Sequence, residues 1–253
     1  MFEEPRYVQN SFSITFQRDS AVRRKANEFE DLLREGFEGH YGQPQVIPIP
    51  DDLDPEVPRL IFGSRHGFSQ IVVSQINMTL NVTYSQDWQT DIGKGKSYLM
   101  ARSQTLFSLL QTLGDAPVFF SGLITRARLH TRSSETGFLS SLRDRFQVRY
   151  SAEPLHDLLY KETTIHRESF FSNITIQSCR SWNVTQPMQG VPRFPKQDAV
   201  AKGLEIIGDF NDRYAYNEDA GYFSNPEVAT RIIDLGLEQM AQALEKSKEL
   251  VRE

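Results

Sequence analysis

The run Gly93-Lys94-Gly95-Lys96-Ser97 holds the residue types that cradle a phosphate. Glycines let backbone N–H groups wrap the anion, and a lysine brings its charge to it. The run follows an expected strand and opens an expected helix, the context that such a loop requires. The full phosphate-loop pattern asks for a glycine five residues before Gly95, where this chain has Thr90. No apolar strand ending in an acidic metal partner follows downstream. Lys94 and Lys96 therefore stand as candidate ligand-binding residues, against the plainer reading of a solvated helix start.

A second candidate is the alternation Arg126, Arg128, His130, Arg132. On a strand these four side chains share one face, and together they could line an anionic groove. Arg143, Arg145 and Arg149 come soon after. The competing reading is a solvated sheet face whose arginines pair with carboxylates from a neighbouring strand, and Glu205 and Asp209 could serve. The acidic net charge favours this second reading.

Glu205, Asp209 and Asn211 also share strand parity, with Asp212 and Arg213 beside them. Two carboxylates at such spacing could hold a metal or form an acid/base pair. No second acidic cluster with ligand spacing accompanies them, and Asp51, Asp52 and Asp54 sit in a proline-bearing loop. No metal site and no cofactor are expected. Cys179 and His166 lie an odd number of residues apart in one strand reading, so they face opposite sides. Gly67-Phe68-Ser69-Gln70-Ile71 fails the G-x-S-x-G pattern at its last position, and H-E-x-x-H does not occur. No catalytic residue is assigned.

The elements that must position these residues follow from hydrophobic periodicity. Ile71–Tyr84 leads. From Ile76 onward, Ile76, Met78, Leu80, Val82 and Tyr84 alternate with Asn77, Thr79, Asn81 and Thr83. Ile71 and Val73 lie in the opposite parity, which predicts one long strand with a bulge near Ser74-Gln75. Before it come a strand over Val8–Phe16, a helix over Ala21–Glu38 capped by Ser20, and short strands at Gln45–Ile49 and Arg59–Phe62. After it come a polar loop over Ser85–Lys96 and a helix over Ser97–Leu113, ended by Gly114. Val118–Arg132 reads as a strand with Phe119, Leu123, Ala127 and Leu129 on one face. Short helices are expected at Thr136–Arg145 and Glu153–Tyr160, then a very long strand or bent hairpin over Thr163–Val184. A strand over Gly203–Tyr214 and a helix opened by Asn225-Pro226 complete the chain.

This order, β-α-β-β-β-α and then β-α-β-β-α, predicts an α+β fold. A long antiparallel sheet would carry amphipathic helices on one face, in one domain over residues 1–253 with a seam near Gly114–Pro117. The chain has 253 residues, 24% of them charged and 39% hydrophobic, so a normal core is within reach. The net charge of −5 argues against general nucleic-acid binding. Cys179 is the single cysteine, which removes intrachain disulfides. The polar N-terminal stretch has no apolar segment, and no run suits a membrane span; a cytoplasmic location is expected.

The late strand Gly203-Leu204-Glu205-Ile206-Ile207-Gly208-Asp209-Phe210-Asn211 precedes a closing helix, as the first strand–helix pair opens the chain. In this pattern the chain resembles an uncharacterised family of bacterial proteins of about this length, a resemblance that implies no activity. The mix of long antiparallel strands and helices is similar to that of SecB-type export chaperones, in architecture only.

In the last helix, Ile233, Leu237, Met240, Leu244 and Val251 form a heptad stripe with Ser247 in the missing place. It suits packing on the chain's own sheet, or, in its last turns, contact with a second copy. The expected function is thus a non-catalytic cytoplasmic bacterial binding or accessory protein, acting through protein–protein contacts or as a chaperone-like client binder. A homodimer is one such assembly. The alternative is an enzyme or binder for a phosphorylated or nucleic-acid ligand, using Gly93–Ser97 and Arg126–Arg132.

Overall fold

The computed structural model describes residues 2–114, 116–131, 135–145, 153, 155–183 and 193–249. Nine strands form one antiparallel sheet: β1 (Arg6–Phe16), β2 (Gln45–Val46), β3 (Leu60–Gly63), β4 (Ser69–Val73), β5 (Asn77–Thr83), β6 (Val118–His130), β7 (Leu159–His166), β8 (Phe170–Ser181) and β9 (Ala201–Asn211). Five α-helices accompany them: α1 (Ala26–Gly36), α2 (Ile92–Gln111), α3 (Glu135–Arg145), α4 (Arg213–Glu218) and α5 (Pro226–Glu249). The class is α+β.

The strand order is β2-β3-β4-β5-β1-β6-β9-β8-β7. It repeats one path twice. Each half lays its first strand at the centre, passes through a helix to an outer edge, and steps inward again until its last strand pairs with its first. A long helix then closes each half, α2 the first and α5 the second, and the two helices touch. Between the halves, β1 and β6 pair from Arg6↔Arg128 to Phe16↔Val118.

Strand burial follows the alternation of the sequence. Phe12, Ile14 and Phe16 of β1 are buried, as are Met78, Leu80 and Val82 of β5 and Leu123, Ala127 and Leu129 of β6. Helices α1, α2 and α5 cover this face. Phe29 of α1 meets the Phe62 ring, and Leu99, Leu106 and Leu110 of α2 are buried. On α5, Ile233, Leu237, Met240 and Leu244 are buried within the chain itself, with Ser247 at the same depth. Each such aliphatic side chain contributes about 2 kcal/mol by leaving water. The stripe is thereby spent on its own sheet; Val251 lies outside the described residues. Asn225 caps α5, its Oδ1 accepting the N–H groups of Glu227 and Val228 at 3.0 Å.

Five expectations are corrected. Ile71–Tyr84 is a hairpin of β4 and β5, not one bulged strand. Ser74 makes the turn, its Oγ accepting the Asn77 N–H at 3.0 Å while its own N–H donates to Asn77 O at 2.8 Å. A reversal flips parity as a bulge does, which is why the two look alike in sequence. Ser20 caps no helix; Asp19 Oδ1 accepts the Ala21 N–H, and a single tight turn over Val22–Lys25 leads into α1. Helix α2 begins at Ile92 rather than Ser97, because Asp91 caps it by accepting the Lys94 N–H at 3.1 Å. Leu155–Leu158 is irregular and Leu159 opens β7, so no helix spans Glu153–Tyr160. Phe119 leaves the core face, since the β1–β6 register slips between Thr15 and Phe16.

The long Thr163–Val184 segment resolves as the β7–β8 hairpin, with Val184 outside the described residues. Its turn residues Arg167 and Glu168 both have left-handed φ, +51° and +53°. The acidic loop before β3 is held by Arg59, whose fully buried guanidinium donates to the carbonyls of Val57 at 2.6 Å and Asp54 at 3.2 Å.

Gly236 sets how closely α5 approaches the sheet. A Cβ there would stand 2.7 Å from the Phe210 ring and 3.1 Å from Leu123. Gly236→Val is expected to lower unfolding stability by about 2 kcal/mol through overpacking, read as a drop in urea midpoint. An unchanged midpoint would mean that the helix has room to shift.

Candidate functional site

On the basic strand face, Arg126 and Arg128 share one carboxylate, that of Glu205. Arg126, Arg128 and His130 of β6 point away from the helices. Register places Arg128 opposite Glu205 on β9. Arg128 Nε donates to Glu205 Oε1 at 3.1 Å, Gln177 Nε2 donates to Oε2 at 2.8 Å, and Arg126 Nη1 stands 3.7 Å from the same oxygen. Glu205 is 7% exposed. A carboxylate so enclosed needs these donors, and it holds the arginines against the sheet. Of the other residues in this group, the His130 ring is kept below its ordinary range by burial and by Arg6. Arg132 and Arg149 lie outside the described residues, and Arg143 donates to the Glu153 carbonyl at 3.4 Å.

Asp209 does not join Glu205. Four residues apart on a strand, the two stand roughly 13 Å apart. Asp209 is instead bonded by Asn173 and Asn211, the latter at 2.9 Å. Among the described residues no three His, Cys, Asp or Glu side chains converge as a metal site requires. Cys179 and His166 sit at opposite ends of the β7–β8 hairpin, and burial pushes the Cys179 thiol up to about 11.

The glycine–lysine run lies in the first turns of α2, where it cannot wrap a ligand. Gly95 is buried against the Tyr84 hydroxyl. Lys94 pairs with the capping Asp91 at 3.4 Å, and Lys96 pairs with Asp234 of α5.

The structure presents two further regions. The first is the sheet face opposite the helices. Its central positions are half-exposed and carry hydrogen-bonding side chains, among them Ser11 bonded to Asn81 at 2.8 Å. At one end, α4 folds over it and gathers aromatic rings. Tyr216 meets Phe119 and Phe120 at 5.5 and 5.7 Å between centroids, Tyr214 meets Phe171 at 5.4 Å, and Arg213 lies over Phe120. Ile124 is 40% exposed on this face.

The second region lies on the helix side, where the end of α1, the β3–β4 turn and α2 converge. Tyr98 of α2 shares its hydroxyl with Ser69 Oγ at 2.6 Å and His40 Nε2 at 3.3 Å. Ser69 also contacts the Tyr41 hydroxyl at 3.2 Å, which in turn accepts from Arg102 Nε at 3.2 Å. The Arg102 guanidinium lies 3.4 Å from the centre of the Tyr98 ring. Burial pushes the Tyr41 phenol up to about 12, so it stays protonated and donates. Sequence reasoning missed this cluster because its members come from positions 40 to 102 with no local spacing. The one trace is Ser69, inside the failed G-x-S-x-G match.

The His40 ring is held below its usual range by burial, and then by Arg102, His66 and Arg65. An unfolded imidazole titrates near 6.5, so below that pH the unfolded chain binds the proton first. The stability that His40 contributes is full above this value and is lost as pH falls through the window beneath it. His130 acts in the same direction. The urea midpoint is expected to fall from pH 7 to pH 5, and His40→Gln to flatten that fall; an equal slope in the variant would place the effect elsewhere. No family model and no curated protein matches this sequence.

Proposed function

We propose that this chain is a non-catalytic binding or accessory protein that acts through protein–protein contacts, with the sheet face opposite α1, α2 and α5, bordered at one end by α4, as its contact surface. The aromatic group at the end of that face carries the reading. Phe120, Phe171, Tyr214 and Tyr216, with Arg213 stacked among them, are the residue types that anchor protein interfaces. They are rigid, half-exposed, and bordered by polar strands that would form a hydrogen-bonding rim. Ile124 extends the apolar patch toward the sheet centre.

The other reading, an enzyme or binder for a phosphorylated or nucleic-acid ligand at Lys94, Lys96 and the basic strand, has less support. Lys94, Lys96, Arg126 and Arg128 are each paired with a carboxylate of this chain. No helix among the described residues is long and apolar enough to cross a membrane.

A photo-crosslinking side chain placed at Ile124 in the native cell is expected to give discrete polypeptide adducts. The same group at Gln242, on the outer face of α5, is expected to give none. Adducts that disappear with Tyr214→Ala at unchanged melting temperature would tie the contact to the aromatic group. Equal labelling from both positions would overturn the reading.

A further inference from the structure

Around His40 the fold gathers two arginines, Arg65 and Arg102, and a second imidazole, His66. Arg65 and His66 come from the β3–β4 turn, and Arg102 comes from α2. The His40 and His66 rings are 5.9 Å apart. The Arg65 N–H donates to the His40 carbonyl at 2.9 Å, and its guanidinium lies over Gly39, where a Cβ would stand 3.2 Å from Nη2. Gly39 has φ +70° and carries no side chain to push that guanidinium away. Arg102 is held between the Phe37 and Tyr98 rings, 4.5 and 3.4 Å from their centres. Among the described residues no carboxylate pairs with Arg65, His66 or Arg102. By contrast Lys94 pairs with Asp91, Lys96 with Asp234, and Arg126 and Arg128 share Glu205. Like charges gathered without compensation are unfavourable unless an anion joins them.

Beside this corner lies a shallow depression of about 510 Å³ lined by Trp88, Gly93, Lys94, Ser97 and Tyr98. Trp88 and Tyr98 meet edge to face at 6.0 Å, and the Tyr98 hydroxyl links this aromatic pair to the His40 ring at 3.3 Å. The N-terminal end of α2 borders it, but Asp91 caps that end, so the anion-binding capacity rests on side chains.

We infer that this corner binds the phosphate monoester of a planar group. Arg65, His66, His40 and Arg102 surround the phosphate, whose oxygens match the guanidinium fork. The planar group lies against the Trp88 ring in the depression, with Lys94 at its rim. The cluster sits on the helix side, away from the open sheet face, and does not depend on the function proposed for that face.

The chain has two tryptophans, so Trp182→Phe leaves Trp88 as the only indole reporter. Titrating that variant with adenosine 5′-monophosphate is expected to quench the fluorescence saturably. Ribose 5-phosphate should compete, and adenosine should bind at least tenfold more weakly. Arg65→Ala with His66→Ala should weaken the nucleotide at least tenfold. Both side chains are exposed, so the melting temperature should hold; if it drops, Arg65→Gln alone carries the same expectation. Arg126→Ala, which leaves Glu205 its bonds from Arg128 and Gln177, should leave binding unchanged. Three results would overturn the inference: no saturable response, equal affinity for adenosine and its monophosphate, or undiminished binding in the Arg65 and His66 variants.

Discussion

The pairing of β1 with β6 is the constraint on which the rest of the molecule rests. It is the ladder that joins two halves of like path, and every other strand is placed by stepping outward from it. The partners are more than a hundred residues apart in sequence, as in Phe12↔Leu123. Closing so long a loop costs conformational entropy before any contact is made. What offsets it is the apolar layer on the helix side, where Phe12 and Leu123 are both fully buried, with α2 packed on β1 and α5 on β6. The long helices α2 and α5 meet over this seam, so packing and hydrogen bonding bind the halves at the same place.

Electrostatics then divides the two faces. On the open face the charges are resolved inside the sheet: Glu205 gathers Arg126, Arg128 and Gln177 from the strands on either side of it. Arg59 is resolved differently, by backbone carbonyls of an acidic loop folded around its buried guanidinium and by the Asp51 carboxylate 3.8 Å away. The corner at His40 follows neither pattern, because its cations are oriented by aromatic rings and a glycine. Rings orient a guanidinium without cancelling its charge. That contrast, within one chain of net acidic charge, gives the corner its separate character.

Much of this architecture is legible in the sequence, and the reason is periodicity. The alternation in β1, β5 and β6 reports one buried face directly, and the Asn225-Pro226 pair marks the start of α5 correctly. What is not legible depends on groups that carry no period. A hairpin and a bulge produce the same parity flip, and a serine side chain decides between them. Asp91 moves a helix start forward and turns a phosphate-loop resemblance into ordinary helix. Leu159–His166 is an edge strand with little burial, so its polar pattern resembles that of a short helix or loop. The arginine stripe was legible together with Glu205, since strand parity is enough to pair them. The His40 corner was not, since three separate segments supply it.

The two rims of the sheet differ in a way that bears on assembly. At one rim β2 is two residues long; at the other β7 runs for eight, with Leu159 66% and Ile165 50% exposed. Leu158 and His166 turn their carbonyls toward the β8 side, so the alternate residues Leu159, Lys161, Thr163 and Ile165 direct their backbone groups outward. A strand added from another molecule thus finds a template on one side and almost none on the other. Joined through β7 to a second copy, the sheet consumes its long rim and stops at two. Open-ended growth would need a second template of comparable length. The brevity of β2 therefore leaves this nine-stranded sheet with one long edge template rather than two.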